Sequence, residues 1–228
     1  MMHIAAIAFD LDGTLLDSAA GVADALNTAL DGAGLGGFEL PIVRSWIGDG
    51  PDALILRALT ACQSAGGLRD VDLPPLAAQL RRRFDAATLQ DPKGDAYDGI
   101  TELLQRLGTD YPLVVVTNKP TTLARAVLGA AGLMQHFAAV HGADSPAQRK
   151  PSPLLIQQAA ARLGTSANSV LMVGDGPADL EAAHAAGSPF AWVSWGYGQP
   201  PLMPALWQLD APHELLARLQ TTQRAPIL

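Results

Sequence analysis

The stretch Ile4-Ala5-Ala6-Ile7-Ala8-Phe9-Asp10-Leu11-Asp12-Gly13 decides how the rest of the chain is read. Six apolar residues in succession stop at two aspartates and a glycine, the pattern of a strand buried on both faces. Working outward, Leu113 to Val116 reads as a second such strand, following Tyr111-Pro112 and ending in Thr117-Asn118. Val170 to Val173 is a third, ending in Gly174-Asp175, and Phe190 to Val193 a fourth; Ala138 to His141 is a shorter, weaker candidate. Helical spans fall between them: Thr101 to Leu107, Pro120 to Ala131, Pro153 to Leu163 and Pro177 to Ala186. The last three begin at Pro and close at Gly132, Gly164 and Gly187, the expected punctuation of helix ends. Strand alternating with helix at this spacing predicts an α/β fold with a parallel sheet, and right-handed crossovers bring the C-terminal ends of the strands to one edge.

Residues 18–90 break that rhythm. They contain no β-like run and read as successive helices over Gly21 to Leu30, Pro41 to Trp46, Pro51 to Ala65 and Pro74 to Leu89. Glycine-rich turns separate them, including Gly48-Asp49-Gly50. The expected organisation is a core made of residues 1–17 and 91–228, with a helical unit over 18–90 inserted after the first strand. The stretch Gln199 to Pro204 reads as loop, followed by a short helix near Pro212 to Leu219.

The 228 residues carry 22 acidic and 15 basic side chains, a formal charge of −7, and the acidic set is 18 Asp against 4 Glu. Asp is a poor helix former and a good loop residue and ligand, so the excess suggests carboxylates placed in loops and turns, with compositional bias the competing explanation. Apolar residues make up 49% and charged residues 16%, which suits a folded chain with its own core. An acidic balance without a basic block excludes nucleic-acid binding as the main task; Arg81-Arg82-Arg83 is the sole basic run and points in three directions on a helix. The short run at Ile4 to Phe9 suits neither a signal segment nor a membrane span. With one cysteine, Cys62, no internal disulfide is possible, and a cytoplasmic protein is expected. The five histidines have no zinc-ligand spacing.

The strand ends collect the chemistry. The first delivers Asp10 and Asp12, the second Thr117 and Asn118, and the third Asp175, with Asp179 a turn later and Lys150 ahead of the helix from Pro153. This edge is where open α/β sheets bind ligands. Clustered carboxylates repel one another unless a cation joins them, and an all-oxygen site suits Mg²⁺ together with phosphate oxygens. An Asp beside such a site can serve as the nucleophile in phosphoryl transfer.

Phe9-Asp10-Leu11-Asp12-Gly13-Thr14-Leu15-Leu16-Asp17-Ser18 resembles the first motif of the haloacid dehalogenase-like phosphatases. The other three motifs of that family follow in order at Val116-Thr117-Asn118, Lys150-Pro151-Ser152-Pro153 and Gly174-Asp175-Gly176-Pro177-Ala178-Asp179. The resemblance implies a Rossmann-like core with an inserted helical cap of type one. It implies that Asp10 is nucleophile and metal ligand, and that Asp12 is general acid/base with its backbone carbonyl on the metal. Thr117 and the Asn118 backbone would bind the transferring phosphoryl group, and Lys150 would steady the charge it shares with the nucleophile. Asp175 would be the second metal carboxylate, with Asp179 orienting the metal's shell. Thr14 and Asp17 are expected to shape the loop and Arg149 to be exposed, while Lys119 either faces solvent as well or, by its place in the chain, lies near the active edge.

Val43-Arg44-Ser45-Trp46-Ile47-Gly48-Asp49-Gly50, Val116-Thr117-Asn118-Lys119-Pro120 and Trp195-Gly196-Tyr197-Gly198 resemble the bacterial phosphoglycolate phosphatase branch of that family. Amides near Gly48 and Gly50 can meet a small anion, and Arg44 can add a fork of donors, a solvent-facing position being its equal alternative. Two departures stand out: Asp49 where that branch often has Asn, which would repel an anion unless turned away, and Gly176-Pro177 where a Ser is common. The expected activity is Mg²⁺-dependent hydrolysis of a small phosphorylated metabolite, 2-phosphoglycolate, by a monomer or homodimer with no membrane partner. A sugar-phosphate phosphatase, a pyrophosphatase or a β-phosphoglucomutase-like isomerase is the alternative within the fold. A receiver-like phospho-Asp switch is the non-enzymatic alternative, disfavoured by chain length and the helical insert.

Overall fold

The computed structural model describes residues 3–66, 68, 72–200 and 202–224. In chain order the elements are β1 (Ala6–Phe9), β2 (Leu16–Asp17), α1 (Ala19–Asp31), α2 (Leu40–Arg44), α3 (Pro51–Ser64), α4 (Leu73–Gln90) and β3 (Asp95–Ala96). There follow α5 (Ile100–Leu107), β4 (Leu113–Thr117), α6 (Thr121–Ala130), β5 (Ala139–Gly142), α7 (Leu154–Arg162) and β6 (Val170–Gly174). The chain continues through α8 (Pro177–Ala186), β7 (Phe190–Val193), β8 (Trp207–Leu209) and α9 (Pro212–Arg224).

Six strands form one sheet in the order β5-β4-β1-β6-β7-β8, every neighbouring pair parallel. Side chains alternate between its faces as strand geometry requires. Ile7, Phe9, Leu113, Val115, Leu171 and Val173 pack on one side, and Ala6, Ala8, Val114, Val116, Val170 and Met172 on the other. The alanines of β1 share this second cluster with Ala159 of α7 and Ala183 of α8. Register fixes the site: Phe9 is level with Val115 of β4 and Val173 of β6. Asp10, just past the end of β1, is therefore at the height of Val116 and Gly174 near the C-terminal ends of β4 and β6, with Thr117 and Asp175 one step beyond.

Helices α1 to α4 enclose a separate apolar cluster built from Leu26, Leu30, Val43, Ile55, Leu59 and Leu80, into which Leu123 of α6 reaches. Pro51 opens α3 and Gly187 closes α8 in the left-handed conformation, as the sequence suggests. No strand occurs among the described residues from 18 to 90; 67 and 69–71 lie outside them, as does Pro201 in the stretch read as loop.

Two features lie beyond the sequence reading. The two-residue strands β2 and β3 pair antiparallel, with Leu16 opposite Ala96 and Asp17 opposite Asp95, so the segments entering and leaving the helical unit run side by side. The sixth strand, β8, follows the loop after β7 and pairs with it. The terminal helix runs from Pro212 to Arg224, longer than expected. Among the described residues no helix is long and apolar enough to cross a membrane.

Candidate active site

Asp10 leaves the end of β1 buried, its amide held by the Val173 carbonyl at 2.9 Å. The Lys150 ammonium donates to Asp10 Oδ1 at 2.6 Å, to Asp179 Oδ1 at 2.5 Å and to the Val116 carbonyl at 3.1 Å. Those three bonds use its three donors. Burial alone would lower the Lys150 pKa, but the two carboxylates outweigh it and raise it. Asn118 fixes the lysine from behind: its Oδ1 accepts from the Lys150 amide at 2.7 Å and its Nδ2 donates to the Lys150 carbonyl at 3.3 Å.

Asp175 is held from several sides. The amides of Tyr197 and Gly198 donate to Oδ2 at 2.7 and 3.0 Å, and the Thr14 hydroxyl donates to Oδ1 at 3.3 Å. Asp179, in the first turn of α8, accepts from the Gly176 amide at 3.1 Å. Gly176, which stands where a Ser is common in that branch, thus contributes through its backbone amide. Gly13 has φ +87°, and a side chain there would collide with Asp175, so glycine is needed for both its conformation and its size.

The ligand oxygens of Asp10, Asp175 and Asp179 all lie within 4.8 Å of one another. Burial raises the pKa of all three; neighbouring carboxylates add to it, and Lys150 opposes it. Three carboxylates facing one ammonium leave two negative charges in a buried space, and a divalent cation with oxygen preference fits that donor set.

Asp12 stands apart from that cluster. The Lys119 ammonium and the Ser18 hydroxyl each donate to its Oδ1 at 2.5 Å. Lys119, for which both a solvent-facing place and one near the active edge were open, is 6% exposed. With Asp10, Asp12, Thr117 and Asn118 it lines a cavity between the sheet edge and the helical unit. Val22, Trp46, Ile47, Leu54 and Phe84 supply the apolar wall, and Gly48 and Gly50 complete it. Thr117 is buried, and its Oγ1 accepts from the Lys119 amide at 3.2 Å.

Other cap-side expectations fall differently. The Arg44 guanidinium lies 4.9 Å from the centroid of the Tyr197 ring, a cation–π contact, and does not line the cavity. Asp49 turns away and pairs with Arg57. Asn118 Nδ2 also donates to the Gly48 carbonyl at 3.0 Å, so the helical unit rests directly on the loop after β4. Arg149 pairs with Asp52 of α3, which also takes Arg81.

Sequence reasoning missed Lys119, Ser18 and Tyr197. All three lie inside stretches quoted for their resemblance, but nothing local pairs Lys119 or Ser18 with Asp12. The Tyr197 hydroxyl accepts from the Ser18 and Ala19 amides across the whole length of the core, and no local pattern announces that.

The family model for haloacid dehalogenase-like hydrolases matches residues 7–193. A phosphoglycolate phosphatase of Neisseria gonorrhoeae is 37% identical over 204 residues, covering 88% of this chain and 84% of that protein. One from Rhodospirillum rubrum is 40% identical over 200 residues, covering 86% and 82%. The crystal structure of a predicted phosphoglycolate phosphatase from Haemophilus somnus superposes with a TM-score of 0.84 at 30% identity, covering 96% of this chain and all of that one. Motif order, sheet order and these likenesses agree: the chain belongs to the haloacid dehalogenase-like hydrolases and is a phosphoric monoester hydrolase.

Proposed function

We propose that this hydrolase cleaves 2-phosphoglycolate to glycolate and phosphate, with Asp10 as nucleophile and Asp12 as general acid/base. The observation that carries the mechanism is a shared asymmetry. Asp10 and Asp12 each give one oxygen, Oδ1, to a lysine, and among the described residues the Oδ2 of each accepts no hydrogen bond. Two carboxylates with one oxygen pinned and one free, facing the same cavity, suit two different tasks.

Asp10 attacks phosphorus as the bond to the leaving oxygen breaks, and that oxygen takes the proton carried by Asp12. Asp12 then removes a proton from water, whose oxygen attacks phosphorus and releases Asp10. The sum is ester plus water giving alcohol plus phosphate. Thr117 and the backbone at Asn118 bind the phosphoryl oxygens, and Lys150 keeps the charge of Asp10 compensated throughout. Asp10, Asp175 and the Asp12 carbonyl would hold Mg²⁺, with Asp179 orienting its shell. The bound ion supplies charge neutralisation to the phosphoryl oxygens.

Residues 18–90 act as the cap over this edge, as supported by the placement of Trp46, Ile47, Gly48 and Gly50 along the cavity wall. Asp49 offers no obstacle to an anionic substrate because Arg57 holds it away. The relatives' names favour 2-phosphoglycolate. The test is acid-quenched turnover of a radiolabelled ester. Label retained on the protein, absent in Asp10→Asn, supports the nucleophile; label retained equally by both excludes it. Release of free phosphate without rearranged sugar excludes the isomerase alternative.

A further inference from the structure

We propose that Lys119 selects substrates whose leaving group carries a carboxylate, by taking that carboxylate on the N–H bonds its pairing with Asp12 leaves free. The inference rests on the 2-phosphoglycolate reading and names the residue that would enforce it.

The cavity poses a problem for an anionic leaving group. Val22, Trp46, Ile47, Leu54 and Phe84 form much of its wall, and an anion removed from water against such a wall is costly without a cation. Among the described residues, Lys119 is the one basic side chain in the lining. The other cations near the edge are engaged elsewhere. Lys150 has spent its donors on Asp10, Asp179 and Val116. Arg44 lies on Tyr197, Arg57 on Asp49, and Arg81 and Arg149 on Asp52.

Lys119 has donors to spare. An ammonium offers three, and its side chain makes one hydrogen bond among the described residues, to Asp12 Oδ1. Position also fits. In the proposed reaction Asp12 faces the leaving oxygen, so a group one carbon away from that oxygen lies beside the lysine that touches Asp12. In 2-phosphoglycolate that group is the carboxylate. A neutral substituent there would leave the extra donors of Lys119 buried without partners, which penalises the wrong substrate more than it rewards the right one.

The experiment compares 2-phosphoglycolate with 2-hydroxyethyl phosphate, which has the same skeleton and a hydroxymethyl group in place of the carboxylate. The ratio of kcat/KM for the two esters is measured within each protein, so a smaller folded fraction cancels. Lys119→Met is expected to lower that ratio about 10- to 100-fold, the factor of one charge-assisted hydrogen bond, mostly through KM. Lys119→Arg is expected to recover part of it. Calorimetric titration of 2-phosphoglycolate into Asp10→Asn, with and without Lys119→Met, should show a comparable loss of affinity, while inorganic phosphate loses less. An unchanged ratio in Lys119→Met, with both esters falling together, would overturn the proposal and confine Lys119 to supporting Asp12. If the wild type prefers another carboxylate-bearing ester and Lys119→Met erases that preference, Lys119 stands and the 2-phosphoglycolate reading fails. If the wild type does not prefer carboxylate-bearing esters at all, both fail.

Discussion

The hydroxyl of Tyr197 accepts the Ser18 amide at 2.8 Å, tying the loop after β7 to the point where the chain enters the helical unit. The same hydroxyl donates to Asp17 Oδ1 at 2.7 Å, while the Tyr197 amide holds Asp175 at 2.7 Å. One residue thus supports the entry to the helical unit with its side chain and the acidic cluster with its backbone.

Tyr197→Phe keeps the amide on Asp175 and the ring under Arg44 but strips the acceptor from two amides. We expect a loss of about 1–2 kcal/mol in unfolding free energy, the cost of leaving such groups unmet. Chemical denaturation measures it; an unchanged midpoint would mean that water replaces the hydroxyl without loss.

The Lys150 ammonium compensates two buried carboxylates, Asp10 and Asp179. Lys150→Met should therefore abolish turnover and destabilise the metal-free protein by roughly 3–5 kcal/mol, since breaking one side of a buried pair strands the other charge. Mg²⁺ should raise the melting temperature of this variant more than that of the wild type. An equal rise in both would show that lysine and metal do not share the charge of the cluster.

Much of this site is legible in the sequence because β1, β4 and β6 are continuous apolar runs whose ends are abrupt, so Asp10, Thr117 and Asp175 could be placed on one edge from pattern alone. The sixth strand was not legible: Trp207-Gln208-Leu209 is three residues long, lies at the sheet edge and has a glutamine at its centre. The β2–β3 ribbon involves two residues on each side, too few to give a period. The burial of Lys119 was not legible for a different reason. A lysine is normally solvated, and its burial here follows from Asp12, a residue 107 positions away in the chain.

Asp52 joins Arg81 and Arg149 at the boundary of the helical unit, and its own carboxylate is 44% exposed. Asp52→Asn should change stability by less than about 1 kcal/mol, as exposed ion pairs do. Its effect should appear instead in kcat/KM, as a salt-dependent fall of a few fold. A salt-independent effect would argue against an electrostatic role for this contact.

His141 on β5 has its Nε2 buried without a hydrogen-bond partner among the described residues, and burial, with the charge of Arg162, lowers its pKa below the ordinary 6.5. The folded state therefore binds fewer protons than the unfolded chain just below pH 6.5, so stability falls as pH drops through that value and levels off below the folded pKa. Replacing His141 with Gln should flatten this part of the stability–pH profile. A profile unchanged by the substitution would assign the slope to other groups.

Asp10, Asp12 and Lys119 line the cavity in which we propose that 2-phosphoglycolate is hydrolysed. The direct measurement is steady-state kcat/KM with Mg²⁺ over a panel of 2-phosphoglycolate, hexose and pentose phosphates, and pyrophosphate. We predict that 2-phosphoglycolate exceeds every other member by at least about tenfold, a difference of roughly 1.4 kcal/mol in transition-state binding. A flat profile, or a sugar phosphate or pyrophosphate in first place, would contradict it.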